Sequence, residues 1–112
     1  MEAKAVARYV RMSSRKARRT LELIRGLPVK EARSLLGALP HRSARVVRRV
    51  MDSAAANAEN NHAMAADELW VVRAFADEGP TMKRLRFASG GRMGIIRKRM
   101  THISVVLSDE ER

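Results

Sequence analysis

Between Glu78 and Asp109 the chain has no acidic residue, yet Lys83, Arg84, Arg86, Arg92, Arg97, Lys98 and Arg99 all fall there. The same stretch reads as two extended arms, Thr81 to Phe87 and Met93 to Leu107, joined by Ala88-Ser89-Gly90-Gly91, whose paired glycines permit the positive φ angles of a tight hairpin. Charges recur on both strand faces, so neither face can be buried in protein, and an isolated two-stranded ribbon is marginal in water. Such a ribbon needs support from outside the chain. At about 3.3 Å per residue, ten-residue arms reach roughly 30 Å from a body. A solvated loop with scattered charge is the blander reading. The interleaved Leu85, Phe87, Met93, Ile95 and Ile96 argue against it, because solvated loops rarely carry that much apolar surface.

Charge over the whole chain points the same way. There are 23 Lys plus Arg against 12 Asp plus Glu, a formal net charge of +11 that repels itself in a compact fold unless a polyanion is near. Nucleic acid and anionic membrane are the candidates, and the predominance of arginine, whose planar fork suits bidentate phosphate contacts and base stacking, favours nucleic acid. A 30 Å ribbon is the right scale to cross between RNA helices. The absence of cysteine excludes disulfides, zinc ribbons and thiol nucleophiles and fits a reducing compartment. The N-terminal residues lack the apolar run of a signal peptide, and no stretch approaches the ~20 apolar residues of a membrane span, so a soluble intracellular protein is expected. A length of 112 residues predicts one domain, 1–112, around one modest core.

Residues 2 to 12 alternate small apolar with charged or larger side chains and predict a strand. Ser13 and Ser14 offer an N-cap to a helix over Arg15 to Arg25, with Ala17, Thr20, Leu21 and Ile24 on one side and Gly26 as its stop. Pro28 fits the first turn of a second helix through about Leu39, where Ala32, Leu35, Leu36 and Leu39 share a face. A third helix runs from about Arg42 to Asn60, with Val47, Val50, Met51, Ala54 and Ala58 inward. Glu68 to Ala76, rich in β-branched and aromatic residues, reads as a central strand broken by Gly79-Pro80. The expected fold is α+β, three helices packed on a small antiparallel sheet with a long protruding β-hairpin.

A second basic feature is Arg11-Met12-Ser13-Ser14-Arg15-Lys16-Ala17-Arg18-Arg19. Cations in the first turns of a helix oppose its dipole, and an anion there reverses the sign: free N–H groups, serine hydroxyls and these side chains together form a phosphate site. A solvated basic helix face is the equal competitor, since such helices also suit membranes and partner proteins. In Asn57-Ala58-Glu59-Asn60-Asn61-His62 the amides and imidazole most often serve structure, capping carbonyls and setting the turn, although an amide can also read a 2′-hydroxyl. His41, His62 and His102 are dispersed and predict no metal site. Asp77 and Glu78 point opposite ways in a strand, and no nucleophile has an obvious base, so neither catalysis nor a cofactor is expected. The competing functional class is a DNA-binding or membrane-surface module built on the same amphipathic helix.

Five segments resemble, in order and spacing, the bacterial family of large-subunit ribosomal protein twenty-two. They are Tyr9-Val10-Arg11-Met12-Ser13-Ser14-Arg15-Lys16-Ala17-Arg18, Leu23-Ile24-Arg25-Gly26, Ser53-Ala54-Ala55-Ala56-Asn57-Ala58 with Asn61-His62, Asp77-Glu78-Gly79-Pro80-Thr81-Met82-Lys83-Arg84, and Ile96-Arg97-Lys98-Arg99-Met100-Thr101-His102-Ile103. The resemblance implies a non-enzymatic constituent of the large ribosomal subunit that binds and organises its RNA, with a hairpin over 80–104 reaching toward the nascent-peptide exit tunnel. It implies RNA contacts at Arg11, Ser14, Arg15, Lys16, Arg18 and Arg19 in the body and at Lys83, Arg84, Arg86, Arg92, Arg97, Lys98 and Arg99 in the hairpin. Ser89, Gly90, Gly91 and Arg92 would form the tunnel tip. Family members usually carry Pro-Arg-Ala-Arg/Gln-Gly-Arg-Ala where this chain has Phe87-Ala88-Ser89-Gly90-Gly91-Arg92-Met93, so the tip has lost the proline and at least one arginine. The implied partners are large-subunit ribosomal RNA, neighbouring ribosomal proteins and the nascent peptide, with no membrane, a monomer when free, and a place in cytoplasmic or organellar ribosomes.

Overall fold

The computed structural model describes residues 2–65, 68–87, 90 and 93–109, and for residues 84–87, 93 and 95–97 it describes the backbone alone. The elements run β1 (Glu2–Val10), α1 (Ser14–Ile24), α2 (Val29–Ala38), α3 (Arg42–His62), β2 (Trp70–Glu78), β3 (Met82–Phe87), β4 (Met93–Lys98) and β5 (Thr101–Ser108). The helices begin and end where local chemistry dictates. Ser13 is extended and its hydroxyl accepts the Lys16 N–H, which caps α1. Beyond α1, Gly26 takes φ +79°, a left-handed conformation that glycine adopts at little cost. Pro28 stands as the N-cap of α2, one place earlier than its expected first-turn position. The third helix runs two residues further than expected and ends at Ala63, which is itself left-handed at φ +52°.

One sheet has the order β1-β5-β2, all antiparallel. Its inner rows are Ala3–Leu107–Val71, Ala5–Val105–Ala74 and Ala7–Ile103–Ala76. Large side chains sit on the middle strand and mostly alanine on its neighbours, so the helices can approach the flanks closely. Alanine is a poor strand former, and its abundance in β1 follows from α3 packing there. Leu21, Ile24, Met51, Leu69, Ile103 and Leu107 are fully buried between sheet and helices, each worth roughly 1.5–3 kcal/mol.

Two expectations are corrected. The middle strand is β5, while Trp70–Glu78 lies at the side of the sheet, where the Gly26–Val29 segment bonds to it through Gly26 N–H to Val71 O (2.8 Å) and Val71 N–H to Leu27 O (2.9 Å). The second arm, read as continuous from Met93 to Leu107, divides at Arg99-Met100 into β4 of the ribbon and β5 of the sheet. Neither residue is a turn former, so nothing local marks the division.

The ribbon prolongs the β2–β5 pairing. Glu78 pairs with Thr101, the Gly79 N–H donates to Met100 O at 2.8 Å, and pairing resumes at Met82 with Lys98. Three residues, Gly79, Pro80 and Thr81, thus oppose two, because proline has no N–H to give the ladder. From there β3 and β4 pair from Met82–Lys98 to Phe87–Met93. Among the described residues, β3 and β4 pack against each other and against no other element. The molecule is 60 × 26 × 20 Å with a radius of gyration of 16.8 Å, against about 13 Å for a compact chain of this length.

Candidate nucleic-acid interface

The start of α1 lies where β1, the sheet and the ribbon meet. Leaving β1, the chain turns tightly through Met12 N–H to Val10 O (2.9 Å), and the fully buried Thr101 hydroxyl donates to Met12 O at 3.0 Å. That one bond ties the α1 entry to the first residue of β5, directly below the ribbon. On its other side α1 is fixed to α3 by the buried Thr20 and Ser43 hydroxyls, 2.6 Å apart. Arg18 donates from Nε and Nη2 to Ala76 O (3.2 and 3.1 Å), and Arg25 donates from Nε to Ala74 O at 2.7 Å, so two arginines blunt the side of β2.

Clefts flank this helix start. One of about 420 Å³ lies between the beginnings of α1 and α3 and is lined by Arg11, Ser13, Lys16, Arg19, Thr20, His41, Arg42 and Ser43. Neither helix has an acidic residue in its first turn, so two partially positive helix ends and four side-chain cations border one hollow. At the ribbon base a cleft of about 310 Å³ is lined by Ser14, Glu78, Gly79, Thr81, Lys83, Arg99 and Met100. Adjoining hollows carry Arg15 and Arg18 beside Arg99 and Glu78, and Arg11 beside Lys98 and Arg99. Among the described residues, Glu78 is the one carboxylate bordering these four hollows.

Twelve of the thirteen residues expected to bind RNA can therefore be placed, nine by side chain and three by backbone. Arg11, Ser14, Arg15, Lys16, Arg18, Arg19, Lys83, Lys98 and Arg99 converge on one continuous surface around the start of α1 and the ribbon base. Arg84, Arg86 and Arg97 are placed by backbone, Arg84 opposite Ile96, Arg86 opposite Gly94 and Arg97 opposite Lys83. Of the tip, Gly90 takes φ +83° as the hairpin reading expects, while Ser89, Gly91 and Arg92 lie outside the described residues. Ser13 caps α1 and also borders three of the hollows, while Ser14 borders two. Arg18 is shared, with two N–H groups on Ala76 O while the residue also lines the hollow that Arg99 borders.

Among the described residues, none of Arg11, Arg15, Lys16, Arg19, Arg42 and Arg99 makes an ion pair or a side-chain hydrogen bond within the protein. Two ion pairs between described residues lie away from this surface: Arg33 with Asp52 at 2.9 Å between α2 and α3, and Arg73 with Glu2 at the end of the sheet remote from the ribbon. Such a surface offers donors and positive charge against a single described carboxylate, the chemistry that takes anionic oxygens. Sequence reasoning missed His41 and Arg42, although an acid-free first turn of α3 was the same signal used for α1. It also missed Thr101, which no local pattern distinguishes. Asn57 serves structure, its amide donating to Lys4 O of β1 at 3.1 Å.

Residues 5–108 match the family model described as ribosomal protein L22p/L17e. Among curated relatives, the large ribosomal subunit protein uL22 of Thermoanaerobacter sp. (strain X514) is 53% identical, covering 99% of this chain and 100% of its own. The uL22 of Halothermothrix orenii is 50% identical over 99% of this chain and 98% of its own. That of Thermus thermophilus is 51% identical over 98% and 97%.

Proposed function

Since this chain belongs to the ribosomal protein L22p/L17e family, whose members are structural proteins and not enzymes, we propose that it is a structural constituent of the large ribosomal subunit that binds and organises large-subunit ribosomal RNA. The residues 1–112 act as one RNA-binding domain. The surface around the start of α1 grips phosphates, and the finger built on β3 and β4 runs into the RNA toward the nascent-peptide exit tunnel with Ser89 to Arg92 at its tip. Arg11, Ser14, Arg15, Lys16, Arg18 and Arg19 hold the body to the RNA, and Lys83, Arg84, Arg86, Arg92, Arg97, Lys98 and Arg99 hold the finger. Its other partners are neighbouring ribosomal proteins and, at the tip, the nascent peptide. It is monomeric when free and works in the cytoplasm.

One observation carries this reading: an acid-free ribbon that packs on no other described element continues directly from a body surface where Arg11, Arg15, Lys16, Arg19 and Arg99 make no ion pair or side-chain hydrogen bond among the described residues. Stabilisation of both must come from a partner rich in negative charge and long enough to span them. RNA folded around the ribbon meets both conditions. A membrane, being planar, meets only the first.

The test is a competition among transcribed large-subunit ribosomal RNA, duplex DNA and anionic vesicles. Binding should favour the RNA and fall steeply with salt, with a log–log slope of about −0.7 to −0.9 per phosphate contacted. Absence of binding to that RNA at moderate salt would end the reading, and equal affinity for duplex DNA would favour the competing module.

A further inference from the structure

Between the pairs Ala7–Ile103 and Val10–Thr101, β1 has two residues, Arg8 and Tyr9, where β5 has one, His102. This bulge puts Tyr9 at φ +58°, a left-handed conformation that bulky side chains rarely adopt. Glycine or asparagine would fit there with less strain. The conformation is held by His102: the Tyr9 N–H donates to its Nδ1 at 3.1 Å, and the two rings meet edge to face with centroids 4.9 Å apart at 87°. His102 is in turn wedged against the ribbon base, since a Cβ at Gly79 would lie 3.3 Å from its Nε2 and 3.3 Å from the Met100 carbonyl.

All this fixes a ring that is not used for burial. Tyr9 remains 60% exposed, more than Val6 or Leu23, the other exposed large apolar residues. A bulge needed only for the fold would be served better by glycine or asparagine than by an aromatic whose ring is left largely in water. Arg8 is exposed beside it, and exposed Arg11 lines the clefts on either side of the α1 entry.

We propose that Tyr9, held by His102, is a stacking platform for one unpaired nucleobase of the RNA this protein binds. An oriented, exposed π face close to cationic residues is how single-stranded or looped-out bases are received. The exposed Arg8 and Arg11 beside it in the chain disfavour an apolar protein partner at the same place. This inference rests on the RNA-binding reading above, and it adds a contact that depends on stacking and not on ionic strength.

The experiment compares Tyr9→Phe, Tyr9→Leu and Tyr9→Gly with the parent, using transcribed large-subunit ribosomal RNA, salt titrations and base-specific chemical probing. Tyr9→Gly relieves the backbone, so it should fold at least as stably as the parent and still lose affinity. The expected result is a loss of about tenfold for Tyr9→Leu and Tyr9→Gly, near-parental affinity for Tyr9→Phe, and an unchanged salt slope throughout. One unpaired base should be protected by the parent and Tyr9→Phe and become reactive with Tyr9→Leu. Parental affinity and an identical base footprint for Tyr9→Leu would overturn the proposal while leaving RNA binding intact. So would a Tyr9→Leu defect seen only when other ribosomal proteins are added, which would assign the ring to a protein. Failure of the parent itself to bind would instead remove the underlying reading.

Discussion

Arg15 and Lys16 occupy the first turn of α1, which has no acidic residue, and so oppose the helix dipole in the free protein. Replacing both with glutamine keeps helix propensity nearly constant and leaves the Ser13 cap intact, because that bond uses the Lys16 backbone N–H. Each charge costs about 0.3–1 kcal/mol near a helix N-terminus, and exposure puts these two at the low end, so the pair should release roughly 0.6 kcal/mol. An unfolding entropy of about 2.1 cal/mol/K per residue makes some 0.24 kcal/mol/K for the chain, which turns that gain into a rise of about 2.5 °C in Tm. RNA affinity must move the other way. Loss of two phosphate contacts should flatten the log–log salt dependence by about 1.4–1.8. Thermal unfolding at low salt and filter binding over a salt series read the two effects separately. A variant that is less stable when free, or that keeps the parental salt slope, would refute the argument that these charges are placed for an absent anion.

Three further changes test the frame that positions the site. Ser43→Ala strands the buried Thr20 hydroxyl and should cost about 1–3 kcal/mol in urea unfolding, most of it recovered when Thr20→Val is added. Gly26→Ala should cost about 1 kcal/mol from backbone strain alone, since a Cβ there meets nothing within 4 Å. Ala63→Gly, at the left-handed end of α3, should raise stability by about 0.5–1 kcal/mol in the same assay.

Much of this was legible in the chain because local chemistry and the fold agree. Ser13 and Gly26 bracket α1, helical spacing of Leu21, Ile24, Val47 and Met51 identified the buried faces, and the acid-free stretch marked the ribbon. What escaped depends on contacts distant in sequence. The middle position of β5 is set by pairing with β1 on one side and β2 on the other, and no run of residues records which strand receives two partners. The cleft between α1 and α3 escaped for the same reason, since Arg42 joins Lys16 and Arg19 only once Thr20 and Ser43 bring the helices together. The left-handed Tyr9 was hidden because tyrosine carries no mark of it; only the two-against-one count opposite His102 does.

The account depends on the ribbon being supported by RNA and not by its own body. Charge reversal at Arg84→Glu with Arg97→Glu, one on each ribbon strand, tests this through incorporation into large subunits on sucrose gradients, with circular dichroism as the check on folding. Because β3 and β4 pack on no other described element, the doubly substituted protein should keep parental helix content and Tm and yet be absent from the subunits. A folded variant found in subunits at the parental level would contradict it.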